Sequence, residues 1–121
     1  MPARFGPAAR IRSHRQFAAV QQGGRRVGGR FVTVLGQPNT LGRHRLGLIA
    51  SRRLGGAVRR NRTKRRLREI FRRHIAQDQG ARGWDVVVIG RTGAAEAPFN
   101  DLTADVVSAV HRLHGAKRAS T

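Results

Sequence analysis

The chain has 121 residues, 39% of them hydrophobic, and this length allows one small domain with a single buried core. Its 25 Lys and Arg against 6 Asp and Glu give a formal net charge of +19, which indicates a strongly anionic partner such as nucleic acid. The absence of Cys excludes disulfides and thiolate zinc sites, and the lack of a signal peptide or of a run of about 20 apolar residues predicts a cytoplasmic protein with no membrane partner.

The first elements are a basic arm and a short helix. Residues 1–12 contain two Pro and three Arg, and we expect them to form a flexible arm. Ser13 can cap a helix over residues 14–22, which a Gly-Gly pair then ends. No second domain is needed, so residues 1–121 are expected to form a single unit.

The next region predicts strands. The Gly-rich segment after the first helix is typical of a connector, with a short edge strand around Val27. The runs 30–36 and 44–51 are β-branched or alternating, and Pro, Asn and Gly lie between them. These two runs are therefore predicted to pair as an antiparallel hairpin.

The C-terminal half predicts a helix, a strand and a second helix. Residues 57–77 contain no interior Gly or Pro, and the almost wholly apolar run 84–90 is typical of a buried central strand. Asn100 is expected to cap the last helix and Gly115 to end it, which leaves a flexible basic tail at about 115–121. Helices segregated from a mainly antiparallel sheet indicate the α+β class.

The helix over residues 57–77 carries an unusual charge pattern. Its second half is amphipathic, with an apolar stripe formed by Leu67, Ile70, Phe71 and Ile75. Its first two turns are polar almost all round, so they are expected to bury no face. Like charges three and four residues apart cost a few tenths of a kcal/mol each, and nearby phosphate would reverse that cost.

Two simpler interpretations of this helix remain open. A solvated basic face usually mixes signs, whereas here Glu69 is the one acid among nine cations between residues 57 and 73. A DNA-reading helix-turn-helix requires a helix shortly before the recognition helix, but strands are predicted there. An RNA or DNA phosphate surface is the interpretation that the charge favours.

Residues 45–72, "RLGLIASRRLGGAVRRNRTKRRLREIFR", resemble the signature region of the bacterial ribonuclease P protein family. The hallmark of that family is an Arg-Asn-Arg core followed by a Lys-Arg pair and a further Arg. The corresponding residues here are Arg60-Asn61-Arg62, Lys64-Arg65 and Arg68. A Phe in the first helix, a Phe-led strand, an apolar strand and a closing helix occur in the same order as in the family.

The resemblance implies a fold and a function. The implied fold is a single α+β domain of order αβββαβα, with a left-handed βαβ crossover. The implied function is that of an RNA-binding subunit in a ribonucleoprotein endoribonuclease that removes the 5′ leader from precursor tRNA. The partners would be the catalytic ribonuclease P RNA and the leader, with catalysis by the RNA and its Mg²⁺. The protein itself would hold no catalytic residue, metal or small-molecule substrate.

The resemblance also implies two sets of site residues. The set that would bind the catalytic RNA is Arg52, Arg53, Arg59, Arg60, Asn61, Arg62, Lys64, Arg65 and Arg68. The set that would line a leader-binding cleft between the first helix and the sheet is Phe17, Gln21, Phe31, Val34 and Arg91.

For some residues of the cleft set, the sequence also allows a role other than leader binding. Phe17 can be a core residue, as a lone aromatic on a short helix often is, and Phe31 can belong to the cleft or to the core. Gln21 occupies a position where the family often has an aromatic ring, and Val34 occupies one where it sometimes does. Because stacking contributes about 1–3 kcal/mol per base, such a cleft would depend more on Arg and less on rings.

Two other functional classes compete with this interpretation. A protein-only nuclease would need several convergent carboxylates for two-metal chemistry, and six acids spread along the chain do not suggest them. A structural RNA binder, such as a ribosomal protein, would share the charge but would have no leader cleft. The sequence leaves this second class open.

Overall fold

The computed structural model describes residues 14–39, 42–76 and 83–119, so the basic arm at 1–12 lies outside the described residues. The helices and strands, in chain order, are α1 (His14–Gly23), β1 (Arg25–Gly28), β2 (Val32–Pro38), β3 (Arg45–Ile49), α2 (Ala57–His74), β4 (Trp84–Gly90) and α3 (Phe99–Ala119). A single 3-10 turn, Arg52–Leu54, lies between β3 and α2. This order confirms the predicted α+β domain of order αβββαβα.

The four strands form one sheet in the order β1-β2-β4-β3. β1 pairs with β2, and β2 with β4, in antiparallel fashion, whereas β3 and β4 are parallel. The predicted hairpin between the second and third strands is therefore wrong, because β4 lies between them. The reason is that β4 is buried along nearly its whole length and takes a central position, where both faces are covered. The handedness of the β3-α2-β4 crossover stays a prediction.

The two faces of the sheet carry two separate apolar clusters. Alternate residues such as Val32, Val34 and Val86 pack against α2 and α3 in the larger cluster. On the opposite face Leu35 and Val87 pack against Val20 of α1 in a smaller cluster. The sheet thus separates a helical layer of α2 and α3 from a face that α1 covers.

Both ends of α3 differ from the prediction. The helix begins at Phe99, and the Leu102 amide donates to the Pro98 carbonyl at 3.0 Å, so Asn100 lies in the first turn and is not the cap. α3 also continues through Gly115 to Ala119. A helical Gly costs about 1 kcal/mol relative to Ala but ends a helix only where the chain turns left-handed. None of the described helices is both long and apolar enough to cross a membrane.

The apolar stripe of α2 is buried as predicted, since Leu67, Ile70 and Phe71 belong to the larger cluster. The first half of the helix is more firmly packed than predicted. Thr63 is fully buried and donates its hydroxyl to the Arg59 carbonyl at 3.0 Å. A Cβ on residue 90 would lie 2.8 Å from the Thr63 Cγ2, so glycine at this position lets α2 approach β4. The expectation that the first two turns bury no face is therefore wrong at Thr63.

Candidate nucleic-acid interface

The basic side chains of α2 divide into two groups, and Arg66 represents the first. Its guanidinium donates to the Ala94 carbonyl at 2.6 Å and also to the Ala97 carbonyl. Burial lowers the pKa of Arg66, and the charge of Arg62 adds to this, while Glu96 opposes it. Arg66 therefore holds α2 to the segment that precedes α3, and it is not available to a ligand.

Three further Arg of α2 are paired with acids. Arg72 and Arg73 contact the Glu69 carboxylate at 2.7 and 2.6 Å. The hydrogen bond from Arg72 is the main reason that the pKa of Glu69 falls to about 2, with a further hydrogen bond from Arg73. Arg59 contacts Glu96 at 3.1 Å, and both side chains are more than half exposed. At such exposed sites an ion pair contributes little, so Arg59 remains accessible to a stronger anion.

The second group has no partner among the residues that the structure describes. Within the described ranges no side-chain hydrogen bond or ion pair is formed by Arg52, Arg53, Arg60, Asn61, Arg62, Lys64, Arg65 or Arg68. The Arg60 Nε is shielded from solvent and still lacks an acceptor. These are the residues predicted to bind RNA, apart from Arg59. Apart from the shielded Arg60 Nε, their donors are bonded to no described residue and can meet acceptors from outside the protein.

The helical period arranges this second group in stripes. Arg60, Lys64 and Arg68 are four residues apart and follow one side of α2 for about 12 Å. Asn61 and Arg65 form the neighbouring stripe. The first turn of α2 has no acid, and Gly56 supplies no side-chain cap. An anion at this surface would relieve the repulsion that the bare helix carries.

A basic groove lies on the opposite face of the sheet, next to α1. Four exposed Arg line it, namely Arg26, Arg30, Arg53 and Arg91. Its floor includes Thr33 and Ile89, which are neighbours in the β2-β4 register. They lie two residues along the strands from the Leu35-Val87 pair that α1 covers. The groove encloses about 380 Å³, and no acid is among the residues that line it.

The turn between β1 and β2 that carries Arg30 is held from two sides. The Asp105 carboxylate of α3 accepts hydrogen bonds from the backbone amides of Arg30 and Phe31, at 2.9 and 2.8 Å. Arg91 donates its guanidinium to the Gly29 carbonyl at 2.9 Å, and its backbone amide donates to the Phe31 carbonyl. The groove is therefore built on a fixed turn.

The structure brings together only part of the predicted cleft set. Arg91 lines the groove, and Gln21 is exposed on α1. Phe31 packs on the larger cluster at the edge of the helical layer. Val34 is fully buried in that cluster, so the prediction that it lines a cleft beside α1 is wrong. The backbone of Phe17 belongs to α1, but its side chain lies outside the described part of the structure.

Sequence reasoning missed most of the groove residues, among them Arg26, Arg30 and Thr33. For Arg26 and Thr33, the signal that could have found them is strand register. Arg26 pairs with Leu35, and β2 residues 33 and 35 lie on the face that α1 covers, whereas Val34 lies on the other face. Recognising that β1 and β2 form the hairpin would have placed Arg26 beside the groove.

Comparison with known proteins agrees with this arrangement. The family model described as Ribonuclease P matches residues 5–114. The chain is 39% identical over 114 residues to the ribonuclease P protein component of Roseiflexus sp. (strain RS-1), covering 93% of this chain and 91% of that protein. It is 36% identical over 100 residues to the ribonuclease P protein component of Syntrophomonas wolfei, covering 83% and 82% of the two chains.

A solved structure supports the same relationship. The ribonuclease P protein from Thermotoga maritima superposes with a TM-score of 0.75 at 31% sequence identity. The match covers 85% of this chain and 96% of that one. Similarity thus extends across the sheet and the helices that carry both basic surfaces.

Proposed function

The chain belongs to the ribonuclease P protein family, and we propose that it is the RNA-binding subunit of a ribonucleoprotein that removes the 5′ leader from precursor tRNA. The observation that carries this proposal is the division of the α2 cations. The side chains that match the family signature form no hydrogen bond or ion pair with the described residues, whereas the neighbouring Arg66, Arg72 and Arg73 are held by the protein itself. A cytoplasmic location is part of the proposal.

The free cations of α2 would bind the catalytic ribonuclease P RNA. Each phosphate that Lys or Arg neutralises releases counterions, and six to ten such contacts change affinity by about 10³–10⁵ over a modest salt range. Arg also forms bidentate contacts with phosphate, and this chain has Arg at nearly every basic position. The stripe from Arg60 to Arg68 would stabilise the folded RNA by following its backbone.

The groove beside α1 would bind the single-stranded leader. Four guanidinium groups along one groove suit a flexible phosphate backbone, and the small floor residue Thr33 leaves room for it. With Val34 buried and Gln21 in place of a ring, base stacking would contribute less than charge. Arg53 lines the groove and lies four residues before Ala57, where α2 begins, so it would connect the leader to the RNA-binding helix.

The acids of the chain favour catalysis by the RNA partner. Among the described residues, Glu69, Asp85, Glu96 and Asp105 are all bonded to Arg side chains or to backbone amides. They lie on different elements and do not converge on either basic surface. We propose that the RNA and its Mg²⁺ supply the hydrolytic chemistry, while this chain binds and orients the substrate.

Reconstitution tests the proposal. The purified protein is added to a bacterial ribonuclease P RNA transcript at low Mg²⁺, and cleavage of a precursor tRNA is followed. We expect strong stimulation of cleavage, since the protein would stabilise the RNA and hold the leader. A structural RNA binder would bind the transcript without stimulating cleavage, and that result would contradict the proposal.

A further inference from the structure

A second cleft lies on the helical layer, across the sheet from the groove. It is formed where the outward face of α2 meets the start of α3, and Phe99 is its aromatic residue. The remaining lining comes from side chains of α2, namely Arg65, Arg66, Arg68, Glu69 and Arg72. Its accessible surface is almost wholly apolar, because the stems of these long side chains and the Phe99 ring face it.

The Arg side chains around this cleft differ in whether they are bonded to other parts of the protein. Arg66 is fixed by two backbone carbonyls, and its guanidinium carbon lies 5.7 Å from the centre of the Phe99 ring. Arg72 is engaged by Glu69. Arg65 and Arg68 have no hydrogen bond or ion pair within the described residues. The cleft therefore combines a preformed apolar surface with two free cations at its border.

We propose that this cleft holds one unpaired base of the catalytic RNA, stacked on Phe99, with the flanking phosphates at Arg65 and Arg68. The inference rests on the proposed function. An apolar surface bordered by cations matches a nucleotide, because every base has an apolar π-face and every phosphodiester linkage carries a negative charge.

Other occupants fit the cleft less well. An apolar peptide would cover Phe99 but would leave Arg65 and Arg68 uncompensated. A second copy of the chain would bring another net charge of +19 to an already basic surface. The free cations at the border are the feature that separates RNA from these alternatives.

Substitutions at position 99 test the inference. Phe99→Leu keeps apolar packing but removes the ring, and Phe99→Tyr keeps the ring. We expect Phe99→Leu to weaken binding of a bacterial ribonuclease P RNA transcript roughly tenfold. Phe99→Tyr should stay within about twofold of the natural chain. Because stacking releases no counterions, the slope of log affinity against log salt should be unchanged in both variants.

Two further measurements protect the test from a folding artefact. Thermal unfolding shows whether Phe99→Leu remains folded, since Phe99 also packs on the larger cluster. In addition, a photoreactive benzoylphenylalanine at position 99 is crosslinked in the assembled complex with precursor tRNA. We expect crosslinks to unpaired nucleotides of the catalytic RNA and none to the leader, which would bind on the other face.

The possible results distinguish failure of the base-stacking inference from failure of the proposed function. If the natural chain neither binds the transcript nor stimulates cleavage, the proposed function fails whatever Phe99 does. If it does both, and folded Phe99→Leu binds as tightly as the natural chain, the base-stacking inference is overturned while the function stands. Loss of self-association in sedimentation of Phe99→Leu, with RNA affinity unchanged, would make the cleft a contact between copies and would also overturn it.

Discussion

At the scale of single residues, Asp85 shows how a charge can be buried in so basic a protein. Its side chain is 8% exposed and accepts two hydrogen bonds from Arg45, at 2.9 and 2.7 Å. Asn39 donates a third at 2.8 Å. Burial by itself would raise the pKa of Asp85, but these hydrogen bonds outweigh it and the pKa is lowered.

The lowered pKa of Asp85 predicts how stability depends on pH. A carboxylate whose folded pKa lies below its unfolded value of about 3.9 stabilises the fold above that value, and the contribution is lost as the pH falls through the folded pKa. Asp85→Asn should therefore lower the free energy of unfolding on the order of 3 kcal/mol at pH 7. The difference from the natural chain should shrink below about pH 4. Urea unfolding between pH 3 and 7 measures both effects.

Asp101 provides the matched control for Asp85. It is exposed in the first turn of α3 and has no ion pair within the described residues. Asp101→Asn should change stability by about 0.5 kcal/mol at most, through the helix dipole. An equal loss in both variants would mean that net charge, and not the bonds to Arg45, controls stability.

For single residues, the sequence predicts whether a side chain is buried better than it predicts which residues that side chain contacts. Leu67 and Phe71 follow from helical spacing because burial depends on local periodicity alone. The buried role of Asp85 depends on Arg45, forty positions away, and on a parallel pairing of β3 with β4 that no local pattern encodes. Val34 was placed wrongly for the same reason, since the face of a strand residue is fixed by its partners.

At the scale of elements, α2 both packs on the core and presents the proposed RNA-binding surface. Neighbouring residues of this helix therefore have different roles. Arg65 and Arg66 are alike in sequence, but only Arg66 reaches the carbonyls of the segment before α3. Helical spacing places both away from the apolar stripe, and the loop that receives Arg66 cannot be positioned from the helix alone. Substitutions at these two adjacent positions are therefore expected to change different properties, namely RNA binding at position 65 and stability at position 66.

Arg65→Ala and Arg66→Ala test this division. Arg65→Ala should leave stability within about 0.5 kcal/mol, weaken RNA binding and reduce the salt slope by about one, because it removes one phosphate contact. Arg66→Ala should lower the free energy of unfolding by about 1–2 kcal/mol, since two charge-assisted hydrogen bonds are lost. Thermal unfolding and salt-dependent binding to the transcript separate the two. A drop in salt slope for Arg66→Ala, with stability unchanged, would contradict the assignment.

The sheet illustrates the limit of element prediction. The run from Trp84 to Gly90 is predicted correctly as a buried strand, with the same bounds. Its position between β2 and β3 is what the sequence did not reveal, because a short turn made these two strands look like a hairpin. Burial of β4 outweighs the tendency of β2 and β3 to pair through their short connection. The most apolar strand is stabilised most when it has neighbouring strands on both sides.

At the scale of the whole molecule, the sheet keeps the two proposed RNA surfaces apart. The groove lies on the face that α1 covers, and the free stripes of α2 lie on the helical layer. Arg53 in the turn between β3 and α2 lines the groove and lies next to α2 in the chain. A leader and a catalytic RNA could thus bind at the same time without competing for one surface.

This separation predicts that substitutions on the two faces act independently. Arg26 faces the groove through its pairing with Leu35, so Arg26→Ala should weaken binding of precursor tRNA with a leader but not of tRNA without one. Arg25 is the matched control, because it pairs with Gly36, whose face meets Leu113 of α3. Arg25→Ala should leave leader binding unchanged.

The combination of Arg26→Ala with Arg65→Ala tests the two-surface arrangement directly. Sites more than about 10 Å apart with no shared partner usually add within about 0.5 kcal/mol. For substrate with a leader, the loss of binding free energy in the double variant should therefore equal the sum of the losses in the two single variants. The loss from position 26 should depend on the leader, whereas the loss from position 65 should not. Binding to the reconstituted complex is measured for both substrates at fixed salt. A coupling above about 1 kcal/mol would mean that the leader and the catalytic RNA meet on one continuous surface and not on two faces of the sheet.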